Sequence, residues 1–413
     1  MKRGLFYALF LTILTLTMVS ISAIFDTGYC KIRGITDSSI KIGGIMDQTG
    51  PVADIAIQLA EAAKIYINHI NDKGGVHGRK IEYILEDDRY SIPLGIAAFK
   101  KLVYKDKIFA LQGPVCIPSS RALFGQMQKL KIPNMLESPD ELAVNPVKKY
   151  IFIPIESYDD DIGVIIDYIV KDLKPVNPKI AFCTYEGESG KTAFESAIKW
   201  TAYYKIKYPI HKEIIPLGAL EASSQIMTMK RKGITHIIVH HSAPGAGALL
   251  RELRKFRFNI PVFGDLISCK EDTIRLAGDA SKIFIGAASF SSWYNDSPGM
   301  KELRDITLKY KPGTEEPWRG KDYCVGWIAT VLMIEGIKRA GRNLTPEACV
   351  NGMESIRNYD SKGICSPITY TPTNHKAIDR VKLFKAEPST GKLIPITGWR
   401  KPPKTKYLTT HKQ

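Results

Sequence analysis

The side chains of this 413-residue chain that could carry chemistry gather in a few short stretches. Glu186-Gly187-Glu188-Ser189-Gly190-Lys191-Thr192 ends in the Gly-Lys-Thr of a phosphate-binding loop. Such a loop cradles phosphate on backbone N–H groups and needs a glycine five residues before Gly190. Tyr185 stands there, so the stretch is expected to open a helix instead. It is not a nucleophile elbow either, because the second glycine of G-x-S-x-G comes one residue early. His236, His240 and His241 suggest a metal site by residue type. No acidic or cysteine side chain lies at ligand spacing from them, so packing at a strand end is the expected role. Glu86-Asp87-Asp88 and Asp159-Asp160-Asp161 are carboxylate runs, which read as helix caps and solvated loop ends because Asp is favoured there. No acid, base and nucleophile converge, so catalysis is not indicated and no cofactor or metal is expected.

Composition narrows the partners. Hydrophobic residues make up 44% of the chain and charged residues 24%, which is globular usage and excludes disorder, collagen and coiled coil as the general state. Lys and Arg number 58 against 42 Asp and Glu, a net charge of +16. A nucleic-acid binder concentrates such an excess in one stripe. Here the basic residues are scattered, apart from Lys230-Arg231-Lys232, the stretch 251–257 and a basic tail over 401–413, so no nucleic acid is expected. At the amino end, Met1-Lys2-Arg3, an apolar run from Leu5 to Leu16 and Ile21-Ser22-Ala23 read as a secretory signal peptide over residues 1–23. That marks the mature chain for export, to a compartment where disulfides can form. The seven cysteines are far apart and include no C-x-x-C pair, which argues against a metal knuckle or redox motif. Cys349 and Cys365 are the nearest pair, separated by a helix end and a turn, and are the disulfide candidate.

The elements that must position these residues alternate regularly. Apolar strand-like runs at 40–46, 80–85, 108–112 and 132–136 are separated by helical periodicities over 56–70, 93–104 and 118–130. The pattern resumes after residue 150, with strands near 179–184, 213–216, 236–239, 261–263 and 283–287 and helices over 162–173, 191–205, 224–231 and 246–256. Three further helices are expected over 300–310, 321–339 and 345–355, then short strands at 368–370, 380–385 and 393–397. Strand–helix alternation of this kind makes α/β units with parallel sheets covered on both faces. In open α/β sheets ligands sit beyond the carboxyl ends of the strands. The loops to inspect are therefore 47–54, 88–92, 113–119 and 136–141 in one unit, and 185–190, 240–246 and 264–268 in the other.

The order of features resembles a known family. Ile40-Lys41-Ile42-Gly43, Thr49-Gly50-Pro51-Val52-Ala53 and Asn71-Asp72-Lys73-Gly74-Gly75-Val76-His77-Gly78-Arg79-Lys80 are similar to the type I periplasmic solute-binding proteins of ABC importers, in particular the leucine/isoleucine/valine-binding proteins. Glu86-Asp87-Asp88, Gly113-Pro114-Val115-Cys116, Leu249-Leu250-Arg251 and Leu276-Ala277-Gly278 continue the match in order. The resemblance implies two Rossmann-like lobes joined by a three-segment hinge, with lobe 1 formed by 36–150 plus 290–362 and lobe 2 by 151–289 plus 363–400. It implies hinge segments near 150–157, 285–292 and 360–368, and closure over a small carboxylate for delivery to a membrane permease by a monomer. An exported ligand sensor is the competing role.

By position, the resemblance puts Cys116, Ile117 and Pro118 on one carboxylate-binding loop, with Ile117 where a serine is usual. Leu136, Glu137 and Ser138 form the other, where Ser138 supplies a hydroxyl. Glu188 and Ser189 follow the first strand of the second unit, and His241 and Ser242 stand near an aromatic contact. Leu266 replaces the glutamate that usually meets an ammonium, with Asp265 beside it. Tyr323 falls near a late aromatic contact. A branched-chain or related amino acid is the implied ligand, and a carboxylic acid without the amino group the alternative.

Overall fold

The computed structural model describes residues 32–313 and 319–403. The signal peptide expected over 1–23, Cys30 and the tail from residue 404 lie outside these residues. Strand β1 (Ser39–Met46) is buried at nearly every position, as a parallel strand covered on both faces must be. Helix α1 (Ala53–Asp72) follows, burying Ala56, Leu59, Ala60, Ala63, Ile67 and Ile70 at helical spacing. It ends where Gly74 and Gly75 take left-handed φ of 98° and 79°. The alternation continues through β2 (Lys80–Asp87), α2 (Ile92–Lys100), β3 (Ala110–Gln112), α3 (Ile117–Lys129), β4 (Asn134–Met135) and β5 (Ile151–Phe152). These strands form a parallel five-stranded sheet in the order β2-β1-β3-β4-β5.

The second lobe repeats the plan with α4 (Tyr158–Tyr168), β6 (Ile180–Thr184), α5 (Glu188–Tyr203), β7 (His211–Ile214), α6 (Ser223–Lys232), β8 (His236–Val239), α7 (Ala243–Lys255), β9 (Val262–Gly264), α8 (Glu271–Ala277) and β10 (Phe284–Ala288). The chain then returns to the first lobe as α9 (Pro298–Tyr310), α10 (Lys321–Ala340) and α11 (Pro346–Glu354). Of two last strands, β11 (Lys382–Glu387) runs antiparallel beside β10, and β12 (Lys392–Pro395) runs antiparallel beside β11. They complete a seven-stranded sheet ordered β12-β11-β10-β9-β8-β6-β7. Helix α8 was not expected from the sequence; seven residues give too little periodicity to read. The strand expected at 368–370 contributes only a single bridge, Ile368 to Tyr359.

Three passages join the lobes. The first follows β5 and the second follows β10. Glu156, in the first, accepts from the backbone N–H of Ser289, in the second, at 2.8 Å, which ties the two together. The third lies at 376–381 rather than 360–368. Ile368, Tyr370, Ala377 and Ile378 still belong to the first-lobe core, whereas Val381 and Leu383 belong to the second. The shift comes from Lys376, whose backbone bridges Ile153, and from His375, which stacks on Phe152 with ring centroids 3.8 Å apart.

The disulfide expectation is corrected. Cys349 and Cys365 are both free and buried, as are the other described cysteines. Cys349 faces the first-lobe core from α11, while Cys365 is fixed by its backbone to Ser361 and Phe290. Burial pushes both thiols up to about 12, so they remain protonated and act as small apolar residues.

The return of α10 to the first lobe depends on close approach. A Cβ on Gly326 would lie 2.6 Å from the Cα of Leu59 on α1. Gly326→Ala is therefore expected to force the two helices apart and lower stability by about 1–3 kcal/mol, the usual cost of overpacking. Urea unfolding against the unmodified protein measures it, with an unchanged midpoint counting against this contact.

Candidate functional site

The carboxyl ends of both sheets face a cleft with about 650 Å³ of empty space, part of it open to solvent. This is the place in an α/β fold where small ligands sit. The first-lobe wall is largely aliphatic, with Val52, Ile55 and Leu59 from the start of α1 and Val115, Ile117 and Ile155 from the strand ends. Its polar members are Tyr90, Glu137, Ser138 and Asp322. The second lobe supplies Tyr158, Tyr185, Ser189 and Ser242 with Leu217, Leu266 and Ile267. None of these described lining residues is Lys or Arg.

The carboxylate runs shape this cleft from behind. Asp87 accepts from Gln48 N at 2.9 Å and Thr49 Oγ1 at 2.7 Å, holding the loop that leads into α1. Asp47 accepts from Val52 N at 2.9 Å. Asp160 and Ser157 form a reciprocal cap on α4. Asp161 reaches across to accept from Leu266 N at 3.0 Å, which fixes one side of the second-lobe wall.

On the second-lobe wall four side chains form one buried hydrogen-bonded chain. Tyr158 Oη lies 2.7 Å from Ser189 Oγ, Ser189 Oγ 3.0 Å from His240 Nε2, and His240 Nδ1 2.5 Å from Asp265 Oδ2. With Nδ1–H donated to Asp265, Nε2 is left as the acceptor for Ser189. Ser189 then donates to His240, and its oxygen is left to accept from Tyr158. The chain thus turns two hydroxyl oxygens into acceptors toward the cleft. Tyr90 and Tyr185 lie close enough for each to influence the other's proton affinity, and burial holds both phenols well above their ordinary range.

The first-lobe wall is different. Both carboxyl oxygens of Glu137 and the Oγ of Ser138 are buried and have no partner among the described residues. Burial pushes the Glu137 carboxyl up to about 8. Asp322, at the start of α10, pairs instead with Lys270 of the second lobe at 2.7 Å, with both side chains almost fully buried.

Residues 39–392 match the family of periplasmic binding proteins. The chain belongs to that family. It is 24% identical over 369 residues to the Leu/Ile/Val-binding protein BraC3 of Rhizobium johnstonii, covering 87% of this chain and 94% of that one. Among solved structures it is similar to a branched-chain amino acid ABC transporter protein of Thermus thermophilus with bound valine (21% identity, TM-score 0.82, 89% and 97% of the two chains). It is also similar to a fatty acid ABC transporter substrate-binding protein of Thermomonospora curvata (20% identity, TM-score 0.79, 89% and 94%). The paired parallel-dominated sheets are the fold of this family.

The residues expected from the sequence of this periplasmic binding protein divide into three groups. Ile117, Glu137, Ser138, Ser189, Ser242 and Leu266 come together on the cleft. Cys116, Pro118, Leu136 and His241 lie beside or behind it: Leu136 continues the strand edge toward Phe152, and the His241 ring is engaged with Ile215 O at 3.0 Å. Glu188, Asp265 and Tyr323 are committed elsewhere. Glu188 meets Arg121 at 2.7 Å, Asp265 holds His240, and the Tyr323 hydroxyl bonds Thr307 at 2.9 Å on the α9 side of α10. Tyr90, Val52, Val115, Tyr185 and Ile267 fall on loops marked by the strand-end rule. Ile55, Leu59, Tyr158, Leu217 and Asp322 do not, because they come from helix faces and a loop that no motif marks.

Among the described residues, two ion pairs cross between the lobes. Arg121 of α3 is held by both Asp140 oxygens, at 2.8 and 3.0 Å, and reaches over to Glu188 of α5. Lys270 and Asp322 form the buried counterpart. Ile117 packs into the second-lobe apolar cluster that contains Tyr158 and Ile162. These contacts describe a closed arrangement. Because Glu188 is 43% exposed, its pair is worth at most about 1 kcal/mol. Glu188→Gln is expected to weaken ligand affinity by up to about fivefold and to enlarge the ligand-free protein in X-ray scattering. An unchanged radius and affinity would show that this pair does not favour closure.

Proposed function

We propose that this protein is the solute-binding component of an ABC importer. It is exported by its leader, captures a small carboxylate with an apolar body, and hands it to a membrane permease as a monomer without altering it. The observation that carries this reading is the cleft itself: aliphatic walls, a few convergent hydroxyl and acid groups, and two lobes tied by ion pairs that can form only when it is shut. Ligand that touches both walls shifts the population toward the closed form, which a permease can recognise by shape.

The polarity of the walls supports an amino acid as the first choice of ligand. Ser138 offers a hydroxyl to a carboxylate on the first lobe. The Asp265–His240–Ser189–Tyr158 chain offers acceptors on the second, which suits the ammonium of a branched-chain amino acid. Asp265 therefore serves that group at one remove. A carboxylic acid without nitrogen is the second reading, favoured because no second-lobe carboxylate lines the cleft to neutralise an ammonium directly.

Thermal unfolding of the mature protein with leucine, valine, 4-methylpentanoate, benzoate and 3-methylbutylamine tests the class. Carboxylates are expected to stabilise, by about 2.7 kcal/mol at a hundredfold excess over Kd, and to be recovered unchanged. Stabilisation by the amine alone would reject the reading. Ser138→Ala is expected to weaken every carboxylate by about tenfold, the worth of one hydrogen bond to a charged group. Asp265→Asn, which disturbs the His240 tautomer, is expected to weaken leucine more than 4-methylpentanoate when both are titrated calorimetrically. Equal losses would remove the chain from ammonium recognition.

A further inference from the structure

The first-lobe wall holds an acid that the fold itself leaves unsatisfied. Glu137 follows β4, is 3% exposed, lines the cleft, and has neither carboxyl oxygen bonded to any described residue. A buried polar group without a partner is costly, and a buried lone charge more so. Such a group persists where a ligand supplies what the protein omits. The Ser138 hydroxyl is also buried without a partner among the described residues, and Ser138 lines the same cleft.

We propose that Glu137 recognises the ligand's carboxylate as a neutral carboxylic acid, donating its own proton in a carboxyl-to-carboxylate hydrogen bond beside the Ser138 hydroxyl. This rests on the carboxylate reading above and deepens it: an anionic head is bound with an acid rather than a lysine or arginine. Two carboxylates can share one site only with a proton between them, and a charge-assisted O–H···O bond is among the stronger kinds. An amine head would find no unpaired anion at this wall while the acid stays protonated, because Asp322 is held by Lys270.

The surroundings agree with a neutral acid. Burial alone raises the carboxyl to about 8. The titratable group that interacts with it is Tyr83 of β2, itself buried and held well above its ordinary range. Asp322 on the same cleft is occupied by Lys270. Tyr90, Tyr158 and Tyr185 are raised above the phenol range by burial. Burial thus favours the neutral form of the Glu137 carboxyl at this wall.

The test is calorimetric titration of the mature protein from pH 7 to 9 with whichever of 4-methylpentanoate, benzoate or leucine stabilises it. Affinity is expected to be level near pH 7 and then to fall, approaching about tenfold per pH unit as the acid ionises, because one proton is lost from the binding form. Glu137→Gln keeps a donor of the same shape. It is expected to bind within about tenfold of the original at pH 7 and to show no pH dependence over this range. In infrared difference spectra, the unmodified ligand-free protein at pH 7 should show a protonated-acid carbonyl band that Glu137→Gln lacks. A level profile in the original protein, a rise in affinity with pH, or absence of that band overturns the proposal while leaving carboxylate binding in place. Binding of 3-methylbutylamine but of none of the acids overturns both.

Discussion

Closing two lobes over one cavity takes water from the polar groups on both walls, and this desolvation governs the rest of the structure. Each wall meets it differently. The second lobe satisfies its polar groups internally before any ligand arrives, through Tyr158, Ser189, His240 and Asp265. The first lobe leaves Glu137 and Ser138 open. A prepared acceptor surface on one side and unmet groups on the other give the cleft a direction. On the proposed reading, a ligand head enters with its anionic end toward β4 and any donor toward β6. In such a low-dielectric space, a satisfied network fixes geometry and an unsatisfied one asks for a partner.

The contacts that cross between lobes extend the same logic to motion. Lys270 and Asp322 are nearly free of water in the closed form, and opening would rehydrate both. A buried pair of this kind contributes little net stability, since desolvation offsets much of the Coulomb gain. Its value lies in being correct only in one arrangement. The three passages are tied near the hinge, where Glu156 meets Ser289 and Lys376 meets Asp160 at 2.7 Å. Rigid tethers beside weak latches allow the lobes to rotate as bodies while the cleft residues keep their places on each wall.

Much of this was legible in the sequence because the signals are periodic or glycine-marked. Strand–helix alternation gave both sheets, and the strand-end rule marked the loops bearing Tyr90, Val115, Glu137, Ser138, Tyr185 and Ser189. Three things were hidden. His240 reads as a strand-end residue, and only the fold brings Ser189 and Asp265, 51 and 25 residues away, onto its two nitrogens. Glu137 reads as one more loop acid, since burial without a partner has no sequence signature. The third passage was misplaced because residues 366–378 lack regular structure while still packing in the first core. Loop segments held by side-chain and bridge contacts carry no periodicity to read.

The chain's charge appears at first to conflict with its cleft. The full sequence carries +16, yet the described cleft lining includes neither lysine nor arginine. The two facts act over different distances. Scattered surface cations raise the local concentration of anions, an effect that salt screens beyond about 8–10 Å. Discrimination happens after entry, where screening is weak and hydrogen-bond geometry decides. A buried lysine there would attract any anion, phosphate and sulfate included. On the proposed role of Glu137, an acid that keeps its proton excludes dianions by repulsion once it shares that proton, and accepts a monocarboxylate whose single charge it can match. On that reading, steering by the surface and selection by the acid divide the task, and a lining without a cation among the described residues is what makes the second step specific.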